Sequence, residues 1–272
     1  MSYSHLKAVV FDWAGTVIDF GSHAPMGAFV RLFEQFGVSI SIEEARQPMG
    51  LPKWDHIKAL GSQPRIANTW QAVHGQAFSD ADVDRLYDIF TPMNAASVKE
   101  HAELVPGVSA LMLDLRAAGL KIGSTTGYNR PIAEVMAPLA AAQGFQPDNM
   151  VCADDLPVSR PSPMAMYRTF IDLGVWPARS VVKVDDTAPG LAEGTQAGCW
   201  TVAVLASGNA MGLSASEWDA LEPEAKQSAR DKAMKQLTDA QPHYWVDTVA
   251  DLRPVLREIE QRLDRGERPA IA

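Results

Sequence analysis

The sequence predicts an α/β fold: a doubly wound parallel sheet with a helical lobe inserted after the first strand. Three observations carry this. Short apolar runs alternate with amphipathic helical stretches, the pattern of parallel strands joined by crossover helices. Roughly 85 residues, 20–104, separate the first apolar run from the rest, far too many for one connection and enough for a lobe of their own. The apolar runs end in Asp, Thr or Asp-Asp, at the strand ends where open parallel sheets bind ligands.

Ala8-Val9-Val10-Phe11 reads as a buried strand meeting a tight turn at Asp12-Trp13-Ala14-Gly15-Thr16. Residues 20–104 read as helices throughout. Ser41-x-x-Glu44 has the capping-box pattern, Pro52 and Pro64 suit first helical positions, and Ser79 can cap a helix over 80–94. The chain leaves near Gly21 and returns near Pro106-Gly107, giving a two-stranded hinge. The expected domains are therefore an α/β core, 1–20 plus 105–272, and a helical cap, 21–104. Further strands are expected at 121–125, 150–153, 181–184 and 201–205, with helices at 108–118, 131–142, 163–173 and 190–197. Residues 216–241 read as a solvated helical insertion. A last strand at 244–246 precedes a helix at 249–263 and a frayed end from 264.

The 272 residues, 47% hydrophobic and 21% charged, are ample for a large core and exclude a wholly disordered chain. A net charge of −9 opposes a broad nucleic-acid contact, yet a metal ion or a few cations can still make a local site for a small anion. Cys152 and Cys199 both lie in apolar runs and read as buried, reduced thiols. No signal-peptide pattern and no membrane-length apolar stretch is found, so a cytoplasmic protein is expected. The first strand is not followed by a G-x-G-x-x-G loop, which argues against dinucleotide binding.

The strand ends carry Asp12, Thr126 with Gly127, Arg160 after its loop, and Asp185 with Asp186. Singly these are ordinary turn, cap or surface residues. Together they supply a carboxylate nucleophile, a hydroxyl with backbone N–H groups, a cation and an acidic pair, the inventory for phosphoryl transfer through an aspartyl phosphate with Mg²⁺.

In this order, Asp12-x-Ala14-x-Thr16, Thr126-Gly127, Arg160-Pro161 and Asp185-Asp186-Thr187 resemble the four motifs of the haloacid dehalogenase superfamily, over nearly the whole chain and with the cap in the superfamily's place. The resemblance implies Asp12 as nucleophile and Mg²⁺ held by Asp12, the Ala14 backbone carbonyl and Asp186. Arg160 stands where lysine is commoner. Gly190 stands where an acidic residue is common. Phosphatases of the superfamily usually carry a second Asp two residues after the nucleophile, to protonate a departing alkoxide. Here that residue is Ala14, so an oxygen leaving group lacks its general acid.

A carbon leaving group needs an electron sink instead, and a lysine imine provides one. Met49-Gly50-Leu51-Pro52-Lys53-Trp54-Asp55-His56 offers a lysine in the first turn of a cap helix, where the helix dipole and burial disfavour its ammonium, with His56 at i+3 for proton transfer. On residue chemistry alone, an exposed helical lysine is the more ordinary reading. Asp12-x-Ala14 combined with Met49-Gly-x-x-Lys53-x-x-His56 resembles the phosphonoacetaldehyde hydrolase, or phosphonatase, family. That resemblance implies C–P bond cleavage through a Lys53 Schiff base and an Asp12 aspartyl phosphate, with Met49 and Tyr128 lining the site beside Thr126, Gly127 and Arg160, and a homodimeric state. Two alternatives stay open at this point: a Mg-dependent P–O phosphatase, in which Lys53 serves affinity only, and an inactive phosphate-binding protein on the same scaffold.

Overall fold

The computed structural model describes residues 3–270. Its one sheet contains β1 (Ala8–Phe11), β2 (Lys121–Ser124), β3 (Val181–Asp185), β4 (Trp200–Val204) and β5 (Tyr244–Val246). The order is β2-β1-β3-β4-β5 and every pairing is parallel. β1, β3 and β4 are buried at every residue, as expected of strands covered on both faces by crossover helices.

The connection from β1 to β2 holds α1 (Ala24–Gln35), α2 (Ile42–Arg46), α3 (Lys53–Gly61), α4 (Pro64–His74) and α5 (Asp80–Glu100), followed by α6 (Val108–Ala117). Ser41 and Ser79 both close reciprocal capping boxes, with Glu44 and Asp82. Two sequence expectations shift here. Pro52 is the N-cap of α3 and Lys53 its first residue. α5 runs past Asn94 to Glu100 with Pro92 inside it. An interior proline costs about 3 kcal/mol, which is offset by burial of Val83, Leu86, Phe90 and Val98 where α5 packs on α1 and α7 (Arg130–Ala142).

α7 and α8 (Met164–Leu173) lead from β2 to β3, and α9 (Ala188–Gln196) from β3 to β4. The strand expected at 150–153 is reduced to one bridge, Thr125 to Val151. Pairing stops because the next N–H in register, that of Ala153, bonds the Tyr128 carbonyl at 2.9 Å instead of continuing the ladder at Thr126. α10 (Ala215–Ala220) and α11 (Pro223–Leu237) form the polar insertion, which buries only Trp218, Ala233 and Leu237. α12 (Leu252–Asp264) closes the fold after a single 3₁₀ turn at Val249–Asp251. Positions 271 and 272 of the expected frayed end lie outside the described residues.

One continuous apolar core joins the sheet to the inserted helices, from Phe11 and Trp13 through Phe29, Phe33 and Phe90. Cys152 and Cys199 are buried free thiols, and burial pushes Cys152 up to about 12. Among the described residues no helix is long and apolar enough to cross a membrane. α9 carries Gly190 and Gly194 one turn apart, although glycine costs a helix about 1 kcal/mol against alanine. A Cβ at Gly190 would collide with the Asp185 carboxylate, and one at Gly194 with the Lys183 side chain. Both glycines therefore serve what β3 presses against the helix.

Candidate active site

In a sheet of order 2-1-3-4-5 the connections diverge between β1 and β3, which opens a crevice at their carboxyl ends. The register sets Phe11 beside Val184, so Asp12 and the Asp185-Asp186 pair emerge together there. Their carboxylate oxygens lie within 4.8 Å of one another, all buried. Burial and the neighbouring Asp185 push Asp12 up to about 6. Burial, with Asp12 and Asp185 close by, lifts Asp186 well above the carboxylate range. Like charges at this spacing resist joint ionisation unless a cation lies between them. The oxygen-only, acidic donor set therefore fits a hard divalent ion. Gly15, in a left-handed conformation at φ +83°, allows the turn after β1 to pass so close to Asp186 that a Cβ would strike its carboxylate. Asp186 is oriented by the Thr16 hydroxyl at 2.9 Å and the Asn209 N–H at 2.7 Å. Asp185 has its oxygens engaged elsewhere: Oδ1 accepts from the Thr187 N–H and hydroxyl, and Oδ2 faces Arg160 and Lys183. Asp185 is thus tied to two cations, whereas Asp186 accepts hydrogen bonds but, among the described residues, pairs with no cation, which leaves Asp12 and Asp186 as the candidate carboxylates for a metal.

Arg160 is buried and its Nη2 lies 2.9 Å from Asp12 Oδ1. The same nitrogen donates to the Thr125 carbonyl and hydroxyl, both at 2.8 Å. Thr126 is buried and its hydroxyl accepts from the Tyr128 N–H at 3.1 Å. Gly127 lies against the cap: a Cβ there would come within 2.9 Å of the Leu51 carbonyl oxygen.

The inserted helices bring Lys53 to the same crevice. Asp12, Ala14, Met49, Gly50, Lys53, Thr126, Gly127, Tyr128, Arg160 and Thr187 line one cavity. Lys53 is 4% exposed. Its Nζ lies 4.8 Å from the Tyr128 ring centroid, 5.7 Å from that of Phe29 and 3.9 Å from Met49 Sδ. Among the described residues no carboxylate pairs with it. Burial lowers its pKa from 10.5 to about 8, against the opposing pull of Asp12. Burial and the surrounding carboxylates lift the Tyr128 phenol well above 10, against the opposing effect of the Asn94 side chain beside its hydroxyl, so it stays neutral.

His56 is the outlier among the expected residues. It is fully buried, stacked on Phe29 at 3.9 Å between centroids, and does not line the cavity. Its Nε2 lies 2.9 Å from the Ala45 carbonyl. A carbonyl only accepts, so Nε2 carries the proton and Nδ1 is left as an acceptor without a partner. Burial and the Lys53 charge hold the ring neutral.

Sequence reasoning missed Thr125, Lys183 and Glu193. Lys183 Nζ lies 3.1 Å from Asp185 Oδ2 and 3.2 Å from Glu193 Oε2. Glu193 Oε2 lies 3.3 Å from Arg160 Nε. The contacts at Arg160 Nε and Asp185 Oδ2 are ion-pair approaches without hydrogen-bond alignment. Thr125 Oγ1 joins the set, donating to Glu193 at 2.7 Å and accepting from Lys183 at 2.6 Å. A signal was available: a lysine inside the valine run of a strand covered on both faces must find buried carboxylates.

A buried carboxylate beside an acidic partner at the switch point, roofed by inserted helices, is the arrangement that a hydrolase working through an enzyme carboxylate needs. Comparison with known families agrees, since the model described as haloacid dehalogenase-like hydrolase matches residues 6–198. The phosphonoacetaldehyde hydrolase of Paraburkholderia phytofirmans is 51% identical over 265 residues, covering 97% of this chain and 99% of its own. That of Vibrio cholerae is 46% identical over 271 residues, covering 99% and 100%. The crystal structure of a phosphonoacetaldehyde hydrolase-like protein from Oleispira antarctica superposes with a TM-score of 0.96 at 41% identity, covering 99% of this chain and 98% of that one. The chain belongs to the phosphonoacetaldehyde hydrolase family.

Proposed function

We propose that this enzyme hydrolyses the C–P bond of phosphonoacetaldehyde to acetaldehyde and phosphate, with Lys53 as the imine-forming amine and Asp12 as the nucleophile. The observation that carries the proposal is the buried Lys53 amine, free of any carboxylate partner, in one cavity with Asp12 and Arg160.

The free amine of Lys53 adds to the substrate aldehyde and, with loss of water, forms a protonated imine. His56, three residues on from Lys53 in α3, is the residue we assign to proton transfer at Lys53; its ring lies behind the cavity wall, stacked on Phe29. Thr126, the Gly127 backbone and Arg160 hold the phosphonate oxygens. An Asp12 carboxylate oxygen attacks phosphorus. The P–C electron pair moves into the imine to leave an enamine on Lys53, and the phosphoryl group becomes an aspartyl phosphate. Protonation at carbon and hydrolysis return Lys53 and release acetaldehyde. A second water cleaves the aspartyl phosphate. Met49 and Tyr128 pack about the amine and keep water away from the imine. Mg²⁺, held by Asp12, Asp186 and the Ala14 carbonyl, would neutralise phosphonate charge and the repulsion between the two carboxylates.

The helices of residues 21–104 act in this proposal as a cap hinged at Gly21 and Gly107. By the family resemblance the enzyme works as a homodimer on a small phosphonate, and its reduced, buried cysteines suit the cytoplasm we propose for it. A P–O phosphatase would need a general acid two residues after Asp12, and Ala14 offers none. The test is product analysis. Phosphonoacetaldehyde should give acetaldehyde and phosphate in equal amounts, and Asp12→Asn should remove at least 10³-fold of the rate with the fold intact, since an amide neither attacks well nor binds the metal. Phosphate release from simple phosphomonoesters but not from phosphonoacetaldehyde would overturn the proposal.

A further inference from the structure

Below Asp12 lies a buried cluster of which the mechanism uses only Arg160. Arg160 and Lys183 bring two positive charges, and Asp185 and Glu193 two negative ones; all four residues are at most 4% exposed. Both cations reach both carboxylates. Arg160 approaches Asp185 at 3.3 Å and Glu193 at 3.3 Å, and Lys183 approaches the same two at 3.1 and 3.2 Å. Thr125 Oγ1 bonds to Arg160, Lys183 and Glu193.

The backbone is shaped to hold this arrangement. Gly190 vacates the volume that the Asp185 carboxylate fills, and Gly194 the volume against the Lys183 side chain. Glu193 reaches the cluster from the same helix. Three positions within five residues of α9 thus serve one set of charges, at the cost of two glycines inside a helix.

Arg160 has two sets of claimants. Asp12 and the arriving phosphonate draw it toward the cavity, while Asp185 and Glu193 draw it down into the core. With Lys183 present, two cations face the two lower carboxylates, so Arg160 shares that load instead of carrying it alone. With Lys183 removed, two buried carboxylates would share one guanidinium, and in a desolvated site that excess charge is felt at close range. Resting on the mechanism above, in which Arg160 holds the phosphoryl group, we propose that Lys183 is a positioning residue: its charge offsets one of the two negative charges of Asp185 and Glu193, and this weaker pull from below leaves the Arg160 guanidinium available to the substrate phosphoryl group.

Charge counting separates this role from mere packing. Lys183→Met keeps much of the side-chain volume and leaves one negative charge in excess. The double variant Lys183→Met/Glu193→Gln restores the balance, and the glutamine carbonyl still accepts from Thr125. The Mg²⁺-loaded enzyme and both variants are compared for kcat and KM with phosphonoacetaldehyde and for the binding constant of inorganic phosphate. The single variant should lose about tenfold or more in kcat and in phosphate affinity. The double variant should recover both to within about fivefold of wild type, a coupling of the size seen between charges in contact. A double variant no better than the single one overturns the proposal, since lost packing is not restored by a second substitution. If Lys183→Met alone yields no folded protein, a folded and active double variant supports the proposal, and one that is unfolded or equally inactive overturns it. Should wild type release no phosphate from phosphonoacetaldehyde, the mechanism above fails, while phosphate binding to the same proteins still decides the role of Lys183.

Discussion

Lys53 and Lys183 are both buried lysines, and their surroundings give them opposite work. Lys183 lies between two carboxylates and serves as a fixed cation. Lys53 lies against two aromatic rings and a thioether, so burial tips it toward the free amine. With its pKa lowered from 10.5 to about 8, the amine fraction at neutral pH rises on the order of 10²-fold over an exposed lysine. The fold bears the matching penalty. It is complete below about 8, where the native lysine too is protonated, and is relieved as pH rises toward 10.5, because the unfolded chain there binds the extra proton. For activity the sign is the same: kcat/KM for phosphonoacetaldehyde should climb with pH through a midpoint near 8 and level off above it. Initial rates from pH 6.5 to 9.5 check this, and a profile flat across 7 to 9 would contradict an amine that must lose its proton.

At the scale of elements, the turn that leads into α3 does as much as the helix itself. Residues 49–52 lie between two parts of the core. Gly127 abuts the Leu51 carbonyl on one side, and Gly50, at φ +93°, abuts the Thr187 side chain on the other. Glycine at both contacts lets backbone meet core closely enough to seat Lys53 over Tyr128. Gly127→Ala adds a methyl group that the Leu51 carbonyl must make way for. We expect it to lower kcat/KM by about 10- to 100-fold, since a displacement of about 1 Å near reacting groups can cost that much. The melting temperature should stay within a few degrees of wild type, and steady-state kinetics with a thermal melt check both. The strands were legible because buried parallel strands read as apolar runs, and Asp12, Thr126, Arg160 and Asp186 because the strand ends point to them. The single bridge at Val151 was not legible, since the ladder is broken by a tertiary contact, the Ala153 N–H bonding the Tyr128 carbonyl, which the apolar run does not record. The partners of Lys183 were hidden for a different reason: Glu193 and the α9 glycines meet it only through packing between helix and sheet, which no local pattern records.

At the scale of the molecule, the inserted helices and the sheet share one site, since Lys53 from the helices and Asp12 from the core line a single cavity. In the proposed function the inserted helices act as a cap that moves to admit substrate. A cleft of about 790 Å³ runs along that junction, from Arg46 and Met49 on the helices to Asp186 and Asn209 on the core. Arg46 spans it, donating to the Gly21 carbonyl at 2.8 Å and to Asn209 Oδ1 at 3.0 Å, and Asn209 in turn holds Asp186. Asp186, the proposed metal ligand, is thus linked through Asn209 to Arg46 on the inserted helices. Mg²⁺ at 100 times its Kd should stabilise the fold by about 2.7 kcal/mol, read as a higher melting temperature that chelation reverses. An unchanged melt, with metal content verified, would contradict the assignment of Asp12 and Asp186 as its ligands.

The central claim is that Lys53 carries the substrate as an imine, and borohydride trapping tests it most directly. Wild-type enzyme treated with phosphonoacetaldehyde and borohydride should lose activity and gain mass on the peptide containing Lys53, after reduction of the imine to a stable amine. Lys53→Arg, which keeps the positive charge but forms no such imine, should take up no label and cleave no C–P bond. A label on another lysine, or continued turnover by Lys53→Arg, would contradict the account.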